Sequence, residues 1–308
     1  MRSSKADWLV FLALGFMWGS SYLFIKIAVN DFGTFTLVAL RLLVGAALLW
    51  TVLRLRGKPL PREPRVYRHL FVMGLINITA PFFLITWAEQ SVESAHAAVL
   101  TSLVPLFTVI LAPIFIHDEP LRLNAVSGLL VGLVGVVVLT GKDLTGSEPN
   151  IIGDLALILS SAFYGAGAVY ARRNVRGLDP LIPAVFQVSF AALVTSVISL
   201  AFEHPWTARP DLSGVFAIAW LGILGSGFAY LAVFRLLSRW GATRTTLVAY
   251  VIPVVGIALG FGVLGEAIDA RRVIGTALII AGIALVNSRY GRRLIYGRPP
   301  EAVAAPGK

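Results

Sequence analysis

The sequence predicts an all-α polytopic membrane protein, with ten transmembrane helices arranged as two inverted five-helix repeats. Three observations predict it: an apolar excess that no water-soluble domain can bury, ten apolar runs of spanning length, and short motifs duplicated at a nearly constant offset. Of 308 residues, 57% are hydrophobic, and 29 Gly bring the apolar fraction to about two thirds. A soluble domain holds about 45–50% with Gly included, and about 25% charged residues. Here only 14% are charged. A soluble chain of this length cannot hide that much apolar surface.

The same composition excludes several chemistries. The absence of Cys rules out a disulfide framework, a thiolate metal site and a Cys nucleophile. The four His fall in no paired metal-binding spacing, so neither a metal nor a cofactor is expected. An intramembrane enzyme would need a nucleophile–base pair or a metal cluster, and the chain offers neither; it is not expected to be an enzyme. A net charge of +10 could suggest nucleic acid, but its distribution along the chain gives another reading.

A helix needs about 20 apolar residues to cross a hydrocarbon core about 30 Å thick. Runs between charged or Pro/Gly-rich breaks predict spans at 8–28, 34–53, 69–88, 94–116, 123–141, 151–171, 180–202, 212–234, 242–264 and 271–288. The first is too long for a signal peptide and lacks a small-residue cleavage site. With the N-terminus inside, twenty of the 26 Lys and Arg fall on the inner side and four on the outer, while Lys26 and Arg41 lie within spans. This bias sets both termini in the cytoplasm and makes the basic charge a topology signal, so no nucleic-acid partner is expected. The expected location is the cell membrane, inner or plasma, crossed many times. The tail 295–308 is Pro/Ala/Gly-rich and predicted to be disordered.

Two stretches of the chain repeat. Glu119, Gly128 and Gly135 match Glu266, Gly275 and Gly282 at an offset of 147. Pro105 matches Pro253 at 148, Trp18-Gly19 matches Tyr164-Gly165 at 146, and Arg41 falls opposite Gln187 at the same offset. These matches divide the chain into halves at 1–142 and 150–294, each of five spans. Five is odd, so the second half crosses in the opposite sense, which is the basis of alternating access to a central site.

Trp18-Gly19-Ser20-Ser21 in the first span, Arg41 in the second, and the doubled Glu…Gly…Gly block resemble the drug/metabolite transporter superfamily, specifically EamA-domain proteins. The resemblance covers about residues 8–290. It implies two five-helix bundles around a central cavity, with the fifth and tenth helices peripheral, and export or exchange of small metabolites such as amino acids.

Several residues are candidates for the transport path. Trp18, Tyr22 and Lys26 share one helix face, which reads as a wall of the path with Lys26 binding an anionic group, or as bundle packing with Lys26 snorkelling outward. Arg41 lies about 10 Å into the second span, where a charge faces a cavity or a partner. No deep acid is predicted to pair with it, so substrate carboxylate, helix carbonyls and water all remain open as ligands. Thr79, Phe83, Thr86 and Gln90 share a face of the third span beside Trp87, while Thr243, Thr246 and Tyr250 share one in the ninth. Tyr164, Tyr170 and Tyr230 add aromatic surface with polar tips, suited to amphipathic cargo or to core packing. Pro105 and Pro253 are expected to kink their helices as gating points, with Thr101 and Ser102 re-satisfying the freed carbonyl. Glu119 and Glu266 are expected to cap the helices that follow them, and the GxxxG pairs Gly128/Gly132 and Gly256/Gly260 to pack helices. Glu89 and His96, at span ends, are the candidates for a proton site.

The expected function is a secondary transporter of small metabolites, amino-acid-like or amphipathic, working as an exporter. An exchanger of phosphorylated or nucleotide-linked solutes is the alternative, with a passive channel behind it. The expected partners are a small-molecule substrate, the lipid bilayer and, as a coupling option, the proton. A monomer is expected, with a homodimer left open.

Overall fold

The computed structural model describes residues 5–116, 121–145, 150–175, 177–240, 245–288 and 294–296. These residues form a bundle of helices. In chain order they are α1 (Lys5–Ala28), α2 (Thr34–Leu55), α3 (Pro64–Gly74, a π-helical Leu75–Thr79, and Ala80–Ala88) and α4 (Ser94–Thr101 and Val104–Phe115). Next come α5 (Leu123–Thr145), α6 (Ile151–Asn174), α7 (Leu181–Phe202) and α8 (Leu212–Trp220, a π-helical Leu221–Phe228, and Ala229–Trp240). Last are α9, a 3-10 turn Thr246–Tyr250 continued by Val251–Leu264, and α10 (Ala270–Asn287). Among the described residues, α1–α4 and α6–α8 each contain a stretch long and apolar enough to cross a membrane, seven in all, and shorter apolar stretches lie at Leu123–Leu139 in α5 and Val248–Leu264 in α9.

Local chemistry sets the ends and breaks of these helices. Asn150, Asp211 and Asp269 each accept a hydrogen bond from the backbone three residues on, which starts α6, α8 and α10. Pro105 lies in the first turn of the second piece of α4, so the helix breaks before it at Ser102–Leu103 rather than bending through it. The Thr101 and Ser102 hydroxyls accordingly bond the carbonyls of Ala97 and Val99, not the one opposite the proline ring. Pro253 is the third residue of Val251–Leu264, which continues without interruption from the 3-10 turn. The π segment of α3 ends just before Pro81, whose missing N–H removes one helical bond.

The helices of the two halves pack against each other. α2 and α7 run antiparallel: Glu203, ending α7, accepts from the N–H groups of Phe35 and Thr36 at 2.9 and 2.7 Å, while Lys58, past the far end of α2, pairs with Asp179 at 2.7 Å. α5 and α10 also run antiparallel and meet on bare backbone, because a Cβ at Gly282 would lie 2.6 Å from the Gly128 carbonyl and one at Gly135 2.9 Å from the Gly275 carbonyl. Leu130, Leu133, Val137, Leu193, Val197, Leu200, Val254 and Phe261 turn outward and stay exposed. So many large apolar side chains on the exterior suit lipid and not water. Past the helices, Leu294–Tyr296 pairs antiparallel with Leu121–Arg122. The first residues of the tail predicted to be disordered are therefore strand, and 297–308 lie outside the described residues.

Candidate functional site

Two equivalent crossings join the halves. Where α2 crosses α8, a Cβ at Gly222 would lie 3.0 Å from the Arg41 carbonyl; where α7 crosses α3, one at Gly74 would lie 2.9 Å from the Gln187 carbonyl. Arg41 and Gln187 are the residues that the duplication sets opposite each other. Each also reaches the π segment of the facing helix: Arg41 Nε donates to Ser226 Oγ at 3.4 Å, and Asn77 Nδ2 donates to Gln187 Oε1 at 3.0 Å. π-helical turns recur at functional sites because they re-aim side chains and free backbone groups.

Arg41 is 3% exposed. Its guanidinium lies 4.3 Å from the centroid of the Phe82 ring, a cation–π contact. The Ser226 bond is at the long limit for hydrogen bonding. No acid lies within ion-pair distance of Arg41 among the described residues. Tyr22, Tyr164, Tyr230 and Glu89 all lie within electrostatic reach of it. Tyr22 shares a hydrogen bond of 2.5 Å with Thr101 at the break in α4. Trp18 packs edge-on to Tyr230 with ring centroids 6.5 Å apart, and Tyr250 packs against the apolar cluster that Tyr22 and Tyr164 also touch. Helices of both halves therefore contribute to one aromatic, cationic centre.

The remaining predicted residues divide. Thr86 and Glu89 are buried, and their side-chain oxygens have no hydrogen-bond partner among the described residues. Trp87, beside them in sequence, is 39% exposed and stands away from that face. Lys26 does not snorkel outward: its ammonium donates to the carbonyls of Glu89 and Val92 at 2.6 and 2.8 Å and closes the end of α3. His96 Nε2 lies 3.0 Å from Asp154 Oδ1, both buried. Thr243 and Glu119 lie outside the described residues. Among the described residues, no group of three His, Asp or Glu side chains could hold a metal ion.

Glu266 differs from its expected role. It does not cap α10, which Asp269 starts; its carboxylate accepts from the Ser94 and Ala95 amides at 2.8 and 2.9 Å and from the Ser94 hydroxyl, capping α4 in the other half. Asp7 and Asp154, 147 residues apart, begin the first helix of each half and are buried. Arg235 and Arg239 hold Asp7 at 3.3 Å, as His96 faces Asp154. Neither Asp is among the sequence candidates, although their offset equals that of the duplicated Glu and Gly positions. Outside the spans, the Lys58 ammonium holds the Asp179 carboxyl below the usual carboxylate range, and the Gly214 amide, with the Ser213 hydroxyl, does the same for Asp211.

An apolar exterior around buried charged and aromatic side chains marks a polytopic membrane protein. The chain matches the EamA-like transporter family over residues 5–141 and 151–288 and belongs to it. It is 31% identical to the uncharacterized inner membrane transporter YedA of Escherichia coli K12, over 93% of this chain and 92% of that one. It is 23% identical to the uncharacterized transporter YoaV of Bacillus subtilis, over 92% and 97%. A solved crystal structure aligns with a TM-score of 0.67 at 25% identity, covering 92% of this chain and 96% of the other.

Proposed function

We propose that the chain is a secondary transporter that exports small amino-acid-like or amphipathic metabolites by alternating access, as a monomer with both termini in the cytoplasm. Its ten helices act as two inverted halves around the Arg41 centre. The separate family matches of 5–141 and 151–288 support this reading, as do the antiparallel runs of α2 with α7 and of α5 with α10. The observation that carries it is Arg41: a buried cation with no acid at ion-pair distance among the described residues, and with Tyr22, Tyr164 and Tyr230 from three helices within its electrostatic reach. Such a group takes the carboxylate of a zwitterion, while the rings and Trp18 take its apolar part. Thr86 and Tyr250 extend the lining, and the break before Pro105 and the 3-10 turn before Pro253 let the adjoining helix segments tilt. The test is counterflow in proteoliposomes with amino acids, sugars and cationic drugs at two pH values. Saturable exchange confined to carboxylate-bearing solutes is expected; exchange of none of them would sink the metabolite reading.

A further inference from the structure

Glu89 ends α3 with 0% of its surface exposed, and neither carboxylate oxygen has a hydrogen-bond partner among the described residues. No other described carboxylate has both oxygens in that state. The cation best placed to pair with it is committed elsewhere, because Lys26 donates to the backbone carbonyls of Glu89 and Val92 and not to its carboxylate. Burial without a partner disfavours an ionised carboxylate far more than its neutral acid. The charged and titratable groups facing it are Lys26 and Tyr22 from α1, Arg41 from α2, and Glu266 from the segment before α10. The two cations favour ionisation, and Glu266, itself held by the amides of α4, opposes it. One turn back along α3, the Thr86 hydroxyl is likewise buried and unpartnered, so the face leading from Glu89 toward Arg41 is polar and unsatisfied.

We propose that Glu89 is a proton-binding site of the transport pathway: it holds a proton in this conformation and releases it to water when the pathway opens beside it. This deepens the transporter reading and rests on it for the role of the proton, though not for its presence. Occupancy of Glu89 and of the Arg41 centre is linked by their mutual field, which gives the proton a physical route to influence transport.

The test is infrared spectroscopy of the full chain reconstituted in lipid and D2O, which needs no substrate. At neutral pD the wild type is expected to show a protonated-carboxyl C=O band that falls as pD rises. Glu89→Gln is expected to lose it, Glu266→Gln to keep it, and Glu89→Asp to keep a band at a shifted frequency. Arg41→Gln removes a cation that favours the carboxylate, so there the band should persist to higher pD. A wild type without the band, a band that survives Glu89→Gln, or an unchanged frequency in Glu89→Asp would each overturn the assignment. The Asp variant carries the test if the Gln variant does not fold. Counterflow failing while the band is present would count against the substrate reading alone, and counterflow without the band against Glu89 alone.

Discussion

Arg41 and Asp179 show how differently a membrane interior and a loop treat one charge. Arg41 keeps its charge beneath the surface on one long hydrogen bond to Ser226 and the face of Phe82, an arrangement that leaves most of its donors available. Arg41→Gln copies the residue at the equivalent position 187 and removes the charge without shortening the chain much. The variant should insert and accumulate normally yet lose at least about tenfold in counterflow of carboxylate-bearing solutes, equivalent to about 1.4 kcal/mol. Wild-type exchange by a well-inserted variant would remove Arg41 from the site. Asp179 and Lys58 are 35% and 42% exposed, so their pair contributes less than about 1 kcal/mol. Because the folded protein lowers the Asp179 pKa from 3.8, that stability is present above the unfolded value and is lost as pH falls through the folded one. Lys58→Met should lower the Tm slightly at neutral pH and not at all in acid. A deficit that grows toward acid would reverse the sign. Arg41 was legible in the sequence because a charge inside an apolar run is conspicuous. Asp7 and Asp154 were not, because each sits where a span meets water and looks like an ordinary end residue.

At the scale of elements, apolar run length located the helix ends to within six residues, since burial in lipid requires both apolar side chains and internal backbone pairing. Their interruptions were only partly legible. Pro105 pointed to the break in α4 and Pro253 to the 3-10 start of α9, though a proline in a first turn starts a helix instead of bending it. The π segment in α8 contains no proline; its signal was the density of small residues at Gly222, Gly225, Ser226 and Gly227. Glu266 misled because a carboxylate before a helix fits the cap of that helix, and only the tertiary structure brings the start of α4 to it. The two crossings offer a matched comparison. Gly222→Ala would press on Val44 and the Arg41 carbonyl, Gly74→Ala on the Gln187 carbonyl and Phe190. Overpacking of this kind costs about 1–3 kcal/mol, so both variants should unfold at lower temperature in detergent. Only Gly222→Ala presses on the backbone that carries Arg41, so its counterflow should fall further than that of Gly74→Ala at equal stability. Equal losses would show that the crossings act only as packing.

For the whole molecule, the distribution of Lys and Arg and the motif offset predicted an oriented, duplicated chain, and the family match over 5–141 and 151–288 accords with the duplication. The number of crossings is the property on which sequence and structure differ: ten apolar runs are predicted, and seven described helices meet the length and hydropathy of a span. α5 is the first helix that falls short, and its contact with α10 brings backbone against backbone at Gly128, Gly135, Gly275 and Gly282, beside the buried Asn124 amide, which donates to the carbonyls of Leu285, Val286 and Ser288. Such a contact is favourable in lipid, where small residues let helices approach closely. Between Arg62, in the loop before α3, and Thr207, after α7, the chain passes through α3, α4, α5, α6 and α7. If α5 spans, five crossings put the two loops on opposite faces; if it does not, four return them to the same face. The chain has no Cys, and both positions are exposed, so Arg62→Cys and Thr207→Cys can each carry a single thiol into an otherwise unreactive protein. A membrane-impermeant maleimide should label Thr207→Cys in intact cells, or in spheroplasts if an outer membrane blocks it, and Arg62→Cys only after the membrane is opened. Labelling of both from one face would withdraw α5 from the membrane, and with it the inverted arrangement of the halves. Labelling in the reverse order would keep the five crossings and turn the basic loops outward, against the charge bias that orients the chain.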